Sequence, residues 1–445
     1  MRNPLLALAI LALTVGPTSA AENRKPNIIV FLADDVGWGE FGFQSNPQIP
    51  TPNIDSIAKN GTRFTNGYIA ATYCSPCRAG LMTGRYPTRF GHEFNGGGGN
   101  GKGGAAKFGL PVKEKTIADR LRALGYATAA VGKWHLGNGP EYIATARGFD
   151  EFYGTVANTP YFNPPHFIDT RKSPDVYAVK DEAFYTTDAY GERAVDWVGK
   201  QKDKPYFLYL PFNAQHAPLQ ATKKYLDRFP KITDEKRHTF AGTMSAIDDA
   251  VGRVLAKVRE RGEEENTLIF FFSDNGGPTK QTTSSNGPLR GFKAQTSEGG
   301  TRIPYCVQWK GKIPAGMVYD YPVQNLDILP TAVVAAGGSI DPAWKLDGVD
   351  LMPYLTGKNT GRPHEMLYWR FGPQWAIRKG VWKLVVSRFD DNKPRLINLA
   401  EDIAEANDLT AKYPDKLKEL EADWKKWNAE QVEPLWKPMA ATEMD

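Results

Sequence analysis

The stretch Ile28-Ile29-Val30-Phe31-Leu32-Ala33-Asp34-Asp35 sets the architecture, because an uninterrupted apolar run ends there in two adjacent acids. Apolar residues without polar alternation predict a strand that is buried on both faces, as in the middle of a parallel sheet. Such a strand needs helices on both of its sides. Strand and helix signals should therefore alternate along the chain, and they do so up to about residue 340.

Outward from this stretch, further apolar runs of strand length occupy residues 126–131, 206–210 and 268–272. One helix is predicted between Thr116, its N-cap, and Gly125, its stop. A second helix, stopped by Gly262, is predicted from apolar residues at helical spacing, namely Phe240, Met244, Ile247, Val251, Val254 and Val258. The predicted fold is α/β, a large and mostly parallel sheet sandwiched by helices.

The composition changes after about residue 360. Residues 375–377 and 382–386 flank Lys379-Gly380 like a hairpin, and residues 395–399 resemble a further strand. Leu417, Leu420, Trp424 and Trp427 then predict a terminal amphipathic helix. We therefore expect a large domain over residues 21–360 and a small C-terminal antiparallel sheet plus helix over residues 361–445.

The N-terminal segment resembles a cleaved secretory signal over residues 1–20. Arg2 precedes an apolar run at residues 5–15, and small residues follow it. The run is shorter than the roughly 20 residues of a membrane span. We expect export to the periplasm or the extracellular space, with no membrane span; the alternative is a buried N-terminal helix.

Composition excludes several classes of protein. Hydrophobic residues at 41% and aromatic residues at 12% indicate a cored globular chain rather than a disordered one. The net charge of +5 is dispersed along the chain, so no nucleic-acid partner is expected. Three cysteines cannot form a disulfide framework for 445 residues.

Polar or charged clusters follow each of the four predicted strands. They are Asp34-Asp35, Lys133-Trp134-His135, Asn213-Ala214-Gln215-His216 and Asp274-Asn275-Gly276. In open α/β sheets, ligands bind outside the carboxyl ends of the strands. Each cluster alone could be an ordinary turn, but the four together predict one polar crevice.

Asp34, Asp35, Asp274 and Asn275 offer three carboxylates and an amide, which are hard oxygen ligands. This set suits Ca²⁺ or, less well, Mg²⁺, and suits Zn²⁺ poorly because it contains no His or Cys. Successive residues of a strand face opposite ways, so Asp34 and Asp35 must lie beyond the strand end to share one ion.

The most distinctive segment is residues 73–85, Tyr-Cys-Ser-Pro-Cys-Arg-Ala-Gly-Leu-Met-Thr-Gly-Arg. Cys74 and Cys77 form a C-x-x-C pair, which is typical of thioredoxin-like redox sites. Alternatively, Cys74 is a nucleophile or its precursor, and Arg78 holds an anion beside it. A redox site explains neither the acidic cluster nor the Lys and His residues at the strand ends.

Cys74-Ser75-Pro76-Cys77-Arg78 followed by Leu81-Met82-Thr83-Gly84-Arg85 resembles the signature of the type I sulfatases, whose C-x-P-x-R cysteine is oxidised to formylglycine. Cys77 stands where that family usually has Ser, Ala or Thr, and we interpret it as a small buried spectator. Other blocks resemble the family at residues 26–29, 34–39, 51–55, 132–137, 272–277, 298–304 and 399–409. The resemblance implies an alkaline-phosphatase-like fold and sulfatase activity for residues 21–360.

The resemblance implies a formylglycine at residue 74, made by a formylglycine-generating maturation enzyme. Its hydrate, a gem-diol, attacks sulfur and later expels sulfate. By the same resemblance, Ca²⁺ is held by Asp34, Asp35, Asp274 and Asn275 together with the side chain derived from Cys74. The ion activates that side chain as a Lewis acid.

The other catalytic assignments also come from the resemblance. Arg78 steadies the formylglycine, while Lys133 and Lys293 clamp the sulfate group. His135 attends the gem-diol, and His216 is the acid that protonates the departing alkoxide. Lys293 is placed by the looser match of Gly291-Phe292-Lys293.

The expected substrate is a sulfated carbohydrate, based on galactose or hexosamine, since the chain resembles bacterial carbohydrate sulfatases that include enzymes acting on algal galactans such as carrageenan. Residues 89–95 follow the signature closely, so His92, Glu93 and Asn95 are candidate sugar contacts, with His166 on a facing wall. Alternatively, His92 and Glu93 only hold the signature helix in place.

Other functions fit parts of the pattern. A phosphodiesterase or phosphonate hydrolase on the same scaffold would share the metal site. An aryl sulfatase without carbohydrate preference would share the whole catalytic set. A glycan-binding relic would lack the nucleophile, whereas Cys74 is present in this chain.

Overall fold

Strands and helices alternate through most of the chain, as the apolar pattern predicts. The computed structural model describes residues 24–96 and 108–436, so the leader predicted at residues 1–20 lies outside the described residues. The strands, in chain order, are β1 (Asn27–Ala33), β2 (Thr62–Phe64), β3 (Gly67–Tyr68), β4 (Ala127–Lys133), β5 (Glu151–Thr155), β6 (Phe167–Asp169), β7 (Ser173–Tyr177), β8 (Tyr206–Pro211), β9 (Thr267–Ser273), β10 (Tyr305–Gln308), β11 (Met317–Tyr319), β12 (Val323–Gln324), β13 (Met366–Phe371), β14 (Gln374–Lys379), β15 (Trp382–Val386) and β16 (Pro394–Asn398).

The helices pack around these strands. In chain order they are α1 (Pro52–Lys59), α2 (Cys74–Thr83), α3 (Ile117–Ala123), α4 (Thr186–Lys200), α5 (Lys223–Leu226), α6 (Glu235–Glu260), α7 (Thr279–Thr282), α8 (Glu298–Thr301), α9 (Ile328–Ala335), α10 (Met352–Leu355) and α11 (Pro414–Asn428). Across residues 24–96 and 108–436, no helix has the length and apolar character that crossing a membrane would require.

Ten strands form one large mixed sheet, in the order β11-β2-β10-β9-β1-β8-β4-β5-β6-β7. The five central strands, from β9 to β5, are parallel to one another. Antiparallel pairs lie on both flanks, where β10 joins β9 and β2, and where β6 joins β5 and β7. The prediction of a mostly parallel sheet between helices is confirmed for the centre, and the antiparallel flanks are an addition to it.

Strand β1 shows why its sequence is apolar without alternation. Successive side chains point to opposite faces of the sheet, and both faces are covered. Ile28, Val30 and Leu32 belong to one hydrophobic core, which includes residues of α2, α3 and α9. Ile29, Phe31 and Ala33 belong to a second core, with residues of α1, α4 and α6. Burial of one such aliphatic or aromatic side chain contributes about 1.5–3 kcal/mol, so both cores hold β1 in register.

The predicted helix ends are also confirmed. Thr116 caps α3: its hydroxyl oxygen accepts a hydrogen bond from the Asp119 backbone N–H, and its own N–H donates to the Asp119 carboxylate. Gly125 follows α3 with φ = 89°, and Gly262 follows α6 with φ = 65°. Such left-handed backbone suits glycine, which carries no Cβ to strain it.

The C-terminal part contains the predicted small sheet and helix. Strands β13-β14-β15-β16 form a four-stranded antiparallel sheet, and α11 packs on it with Trp424 stacked on Trp375 at 4.3 Å between ring centroids. Leu420 and Trp427, which belong to α11, are the buried residues of this helix. The sheet plus helix is confirmed, β13 is an addition, and the boundary at residue 360 stays a prediction.

A buried polar cluster joins the small sheet to α8 and to the separate two-stranded sheet of β3 and β12. The Lys383 ammonium of β15 lies 2.8 Å from Glu298 Oε1 and 3.1 Å from Glu405 Oε1. The hydroxyl of Tyr68, at the end of β3, donates to Glu298 Oε2 at 2.6 Å. Burial alone would raise the pKa of Glu298, but the charges of Lys383 and Arg302 lower it to about 2. Glu298 is therefore ionised, and its charge depends on these buried partners.

Replacing Lys383 by methionine should destabilise the fold by about 3–5 kcal/mol, because it removes the buried ammonium that Glu298 and Glu405 share and leaves Glu298 paired with Arg302. The matched control is Lys379→Met on the neighbouring strand β14. Lys379 forms exposed ion pairs with Glu419 and Asp423, and such pairs contribute about 1 kcal/mol or less. Urea unfolding of both variants measures the difference. Equal, small losses would show that the buried cluster does not hold the small sheet against α8 and β3.

Candidate active site

The four strand ends that were predicted to meet lie side by side. Strands β9, β1, β8 and β4 are consecutive neighbours in the sheet. Asn275, after β9, donates from Nδ2 to Asp35 Oδ1 at 2.7 Å. His216, after β8, has its Nε2 at 3.9 Å from Asp35 Oδ2, and Lys133, at the end of β4, bonds to Asp34. The carboxyl edge of the sheet thus forms one polar centre.

The acidic residues cluster tightly. Donor atoms of Asp34, Asp35, Asp274 and Cys74 all lie within 4.8 Å of one another, and all four residues are buried. Strand β1 ends at Ala33, and Asp35 has φ = 62°, so the chain has left the strand before the two acids. Adjacent side chains can therefore reach the same centre, as sharing one ion requires.

Each buried carboxylate has a buried basic partner. The pairs are Asp34 with Lys133, Asp35 with Lys293 at 2.7 Å, and Asp274 with Arg78 at 2.7 Å. Burial would raise the pKa of Asp34, but the charges of Lys133 and Arg78 hold it well below its ordinary value. Burial and the charge of Asp34 raise the pKa of Asp274. The cations balance the acids without removing the repulsion between neighbouring carboxylates.

Asn275 provides the observation that favours a metal ion. Its Nδ2 is hydrogen-bonded, whereas its buried Oδ1 has no hydrogen-bond partner among the described residues. A buried carbonyl oxygen without a partner costs about 1–3 kcal/mol. An oxygen-binding cation beside Asp34, Asp35 and Asp274 would satisfy it, and an all-oxygen set suits Ca²⁺ or Mg²⁺. The residues present therefore fit the predicted ion.

Cys74 is the first residue of α2, a helix that is buried along its whole length. Its Sγ lies 3.5 Å from Asp34 Oδ1 and 4.0 Å from Asp35 Oδ1. Burial raises the pKa of the Cys74 thiol far above its ordinary value, and the same holds for Cys77. Both thiols are free and buried. Thiol–disulfide exchange needs an accessible thiolate, so this geometry does not favour the redox hypothesis.

Hydrogen bonds fix the Arg78 side chain, and close packing of β4 against β8 fixes the position of Lys133. The Arg78 guanidinium donates to Asp274 through Nε and Nη2, at 3.0 and 2.7 Å, and to the Lys133 carbonyl through Nη1 at 2.7 Å. Gly132 precedes Lys133 with φ = 134°, and a Cβ there would lie 1.8 Å from the Pro211 carbonyl oxygen. A glycine is therefore required for β4 and β8 to bring Lys133 to Asp34.

A cavity of about 580 Å³ opens above this centre. The residues that line it include Asn95, His135, His216, Lys280, Phe292 and Lys293, and none of its described lining residues is acidic. The His216 Nδ1 lies 2.7 Å from the Ala217 carbonyl oxygen, so Nδ1 carries a proton and Nε2 faces the acids. Burial and the Lys293 charge lower the pKa of His216 to about 4.

The predicted sugar contacts divide into two groups. Asn95 lines the cavity, and its Oδ1 accepts a hydrogen bond from the Ser75 backbone N–H at 2.9 Å. His92 and Glu93 are buried instead: His92 Nε2 lies 2.7 Å from Ser75 Oγ, and Glu93 binds the Arg370 side chain. The structure does not bring these two to the cavity, because residues 89–95 pass behind the start of α2.

His166 is exposed and is not among the residues that line the cavity. Sequence reasoning missed other lining residues, namely Asn158, Lys280 and Phe292. Asn158 and Lys280 belong to connections between strands, where no apolar period marks the direction of a side chain. Phe292 directly precedes Lys293 in the sequence, and this adjacency is the signal that could have placed Phe292 at the cavity.

Comparisons with known proteins agree with this centre. Residues 26–338 match the Sulfatase family. N-acetylgalactosamine-6-sulfatase from Sus scrofa is 34% identical over 403 residues, which cover 85% of this chain and 74% of the relative. Arylsulfatase A from Homo sapiens is 31% identical, with 93% of this chain and 84% of the relative covered.

A solved structure, Ps i-CgsB in complex with k-i-k-neocarrahexaose, superposes with a TM-score of 0.86 at 34% identity, covering 94% of this chain and 96% of that one. The family match spans well over half of the chain, and the relatives align along most of their lengths. The chain therefore belongs to the sulfatase family of sulfuric ester hydrolases and has the alkaline-phosphatase-like fold of that family.

Proposed function

We propose that this enzyme hydrolyses a sulfate ester on a carbohydrate, using a formylglycine formed from Cys74. The observation that carries the proposal is the position of Cys74, whose Sγ lies 3.5 Å from Asp34 Oδ1 within the buried cluster that it forms with Asp34, Asp35 and Asp274. That cluster lies below a cavity whose basic lining residues are two lysines and two histidines, with no acidic residue among its described lining. A nucleophile precursor, a site for a cation and a set of anion-binding groups thus meet at one point.

The carbohydrate part of the proposal has separate support. Relatives of this chain include N-acetylgalactosamine-6-sulfatases, and a similar solved structure holds neocarrahexaose. The cavity of about 580 Å³ lies within the volume range of pockets that bind small ligands, so it has room for part of a glycan. A galactose- or hexosamine-based glycan fits these relatives, and the predicted leader would place the enzyme in the periplasm or outside the cell.

Asp34, Asp35, Asp274 and Asn275, together with the side chain at residue 74, would hold the ion, with Ca²⁺ preferred to Mg²⁺. When bound, the ion supplies Lewis acidity and positive charge at the reacting centre. Three buried basic residues already match the three carboxylates in charge. A divalent ion would leave the centre with an excess of two positive charges, which favours an anionic ester over a neutral substrate.

The residues of the chain then have distinct tasks. Arg78 holds Asp274 and the Lys133 carbonyl and so fixes the start of α2 against β4. Lys133 and Lys293 present ammonium groups that can donate to sulfate oxygens. Once the His216 ring has gained a second proton, its Nε2 can pass that proton to the leaving alkoxide, while its Nδ1–H stays on the Ala217 carbonyl. His135 lines the cavity beside residue 74.

Two measurements test this proposal. Mass spectrometry of the Cys74 peptide should show a loss of about 18 Da, which is the change from thiol to aldehyde. A panel of sulfated galactans, sulfated hexosamines, p-nitrophenyl sulfate and phosphate diesters should then show sulfated glycans as the best substrates. Efficient hydrolysis of aryl sulfates alone would refute the carbohydrate assignment, and a preference for phosphate diesters or phosphonates would replace the sulfatase assignment for the native substrate.

Replacing His92 by alanine should lower kcat by about tenfold or more on a sulfated glycan and on p-nitrophenyl sulfate alike. His92 contacts Ser75, whose hydroxyl donates to the His135 carbonyl at 2.7 Å, and misplacing such groups by a fraction of an ångström is costly. Kinetics on both substrates measure the effect. A loss confined to the glycan would instead make His92 a sugar contact.

A further inference from the structure

The lining of the cavity contains one cation that the catalytic centre does not use. Its described titratable residues with a basic side chain are His135, His216, Lys280 and Lys293. Lys293 is buried and held by Asp35 at 2.7 Å. Lys280 is exposed on α7, and no ion pair joins it to a carboxylate of residues 24–96 or 108–436. One positive charge therefore faces the cavity, and no carboxylate of the described residues forms an ion pair with it.

An aromatic surface lies next to this charge. The Lys280 ammonium is 6.0 Å from the centroid of the Phe292 ring, and both residues line the cavity. The Lys236 side chain donates to the Lys280 carbonyl at 3.2 Å, which brings a second ammonium to the same edge. Cationic and aromatic groups therefore share one side of the cavity, away from the buried acids.

Contacts with residues that follow β15 fix the position of the Phe292 ring. The rings of Phe292 and Phe389 meet edge to face, with centroids 5.3 Å apart. Two residues before Phe292, Arg290 forms a two-pronged ion pair with Asp390, at 2.8 and 2.9 Å. A bidentate guanidinium–carboxylate pair holds its partners in one orientation. Phe292 is thus a positioned surface rather than a side chain that is free to turn.

We propose that the substrate carries a second anionic group, a sulfate or a carboxylate, which Lys280 binds while a sugar ring packs against Phe292. The inference rests on the proposed sulfatase function and adds a substrate class, a polyanionic glycan. Lys133 and Lys293 are placed at the scissile sulfate, so an anion at Lys280 must be a different group of the substrate. Planar aromatic rings offer an apolar face to sugars, and an unpaired ammonium beside one favours a charged sugar over a neutral one.

The test compares two oligosaccharides that share one sugar sequence and one scissile sulfate and differ by a second sulfate. Wild-type enzyme should favour the disulfated compound. Lys280→Gln should lose about tenfold in kcat/KM on it, mainly through KM, as expected for one charge-assisted contact. The loss on the monosulfated compound should be several-fold smaller. Lys280→Arg should restore most of the preference, because it keeps the charge.

Lys202→Gln is the matched control for a change in net charge. Lys202 is exposed just before β8, at the opposite end of the sheet from the cavity, and its removal should leave both kcat/KM values unchanged. Raising the ionic strength should weaken the preference of the wild type, since it screens exposed charges. A third compound, with a uronic acid in place of the second sulfate, distinguishes carboxylate from sulfate recognition.

The outcomes distinguish failure of the second anion site from failure of the carbohydrate proposal. If the wild type hydrolyses both compounds equally well, or if Lys280→Gln keeps the full preference, the second anion site is refuted while the sulfatase proposal stands. If the wild type hydrolyses neither compound but cleaves aryl sulfates, the carbohydrate proposal fails and the inference fails with it. A loss that Lys280→Arg does not restore would assign Lys280 a structural role instead.

Discussion

Cys74→Ala should lower turnover by at least about 10⁴-fold while the protein stays folded and still binds sulfated ligand. In the proposed mechanism the covalent nucleophile forms from Cys74, and alanine has no atom that could replace it. The substitution removes one sulfur atom at the first position of α2 and leaves that helix otherwise complete. Lys133 and Lys293, which we place at the sulfate group, are unchanged.

The matched control for this variant is Cys77→Ala. Cys77 is one turn further along α2, is also buried, and contacts the Asn325 side chain at 3.4 Å. Its loss should leave most of the turnover, because the maturation motif does not fix this position. A redox C-x-x-C would require both cysteines, so equal inactivation by the two variants would revive that hypothesis. Wild-type turnover by Cys74→Ala, freed of contaminating sulfatase, would refute the nucleophile assignment.

The central sheet and its polar edge could be predicted from the sequence because two regularities coincide there. A strand that is buried on both faces, such as β1, is an uninterrupted apolar run in the sequence, whichever elements pack against it. The residues directly after such parallel strands must lie at one edge. Asp34, Lys133, His216 and Asp274 therefore met in space as predicted, although they are far apart along the chain.

The flanks of the sheet carried no such signal. Strands β2 and β11 have three residues each, which is too short for a period of two to be distinguished from a turn. Strand β11 pairs with β2, and β2 pairs in turn with β10. Strand β13 could have been found, since Leu367, Trp369 and Phe371 recur with a period of two and the turn signal Gly372-Pro373 follows them.

The residues that surround the substrate were the hardest to predict. Proximity in sequence to Cys74 suggested that His92 and Glu93 face the cavity, but the partner of Glu93 is Arg370, 277 residues further along the chain. That contact pulls residues 89–95 towards the small sheet. Lys280 and Phe292 reach the cavity from connecting segments, whose path depends on tertiary contacts such as the Arg290–Asp390 pair. Local pattern does not contain this information.

Removing calcium with EGTA should lower turnover by about 100-fold or more, and added Ca²⁺ should restore it better than Zn²⁺. The potential metal ligands that cluster here among the described residues are Asp34, Asp35, Asp274 and Cys74, and the proposed maturation replaces the Cys74 sulfur by oxygen. With Asn275, the donors are then oxygens, a set that suits Ca²⁺ better than Zn²⁺. The ion should also stabilise the fold, because it binds the native arrangement of acids and relieves their repulsion. At a hundred times its Kd, Ca²⁺ would add about 2.7 kcal/mol to the free energy of unfolding.

The stability measurement separates ion binding from catalysis, and the Asn275→Ala variant tests whether Asn275 binds the ion. This variant removes the buried Oδ1 that has no hydrogen-bond partner among the described residues, so the Ca²⁺ concentration needed for half of the thermal shift should rise at least several-fold. Asp248→Asn is the matched control, since Asp248 is a buried acid on α6 that accepts from the backbone N–H groups of Asn53 and Ile54, far from the centre in the fold. Its substitution should change stability without changing the calcium midpoint. Restoration by Zn²⁺ alone, or a thermal shift that Asn275→Ala leaves untouched, would contradict an all-oxygen calcium site, because the ion would then be bound by other groups.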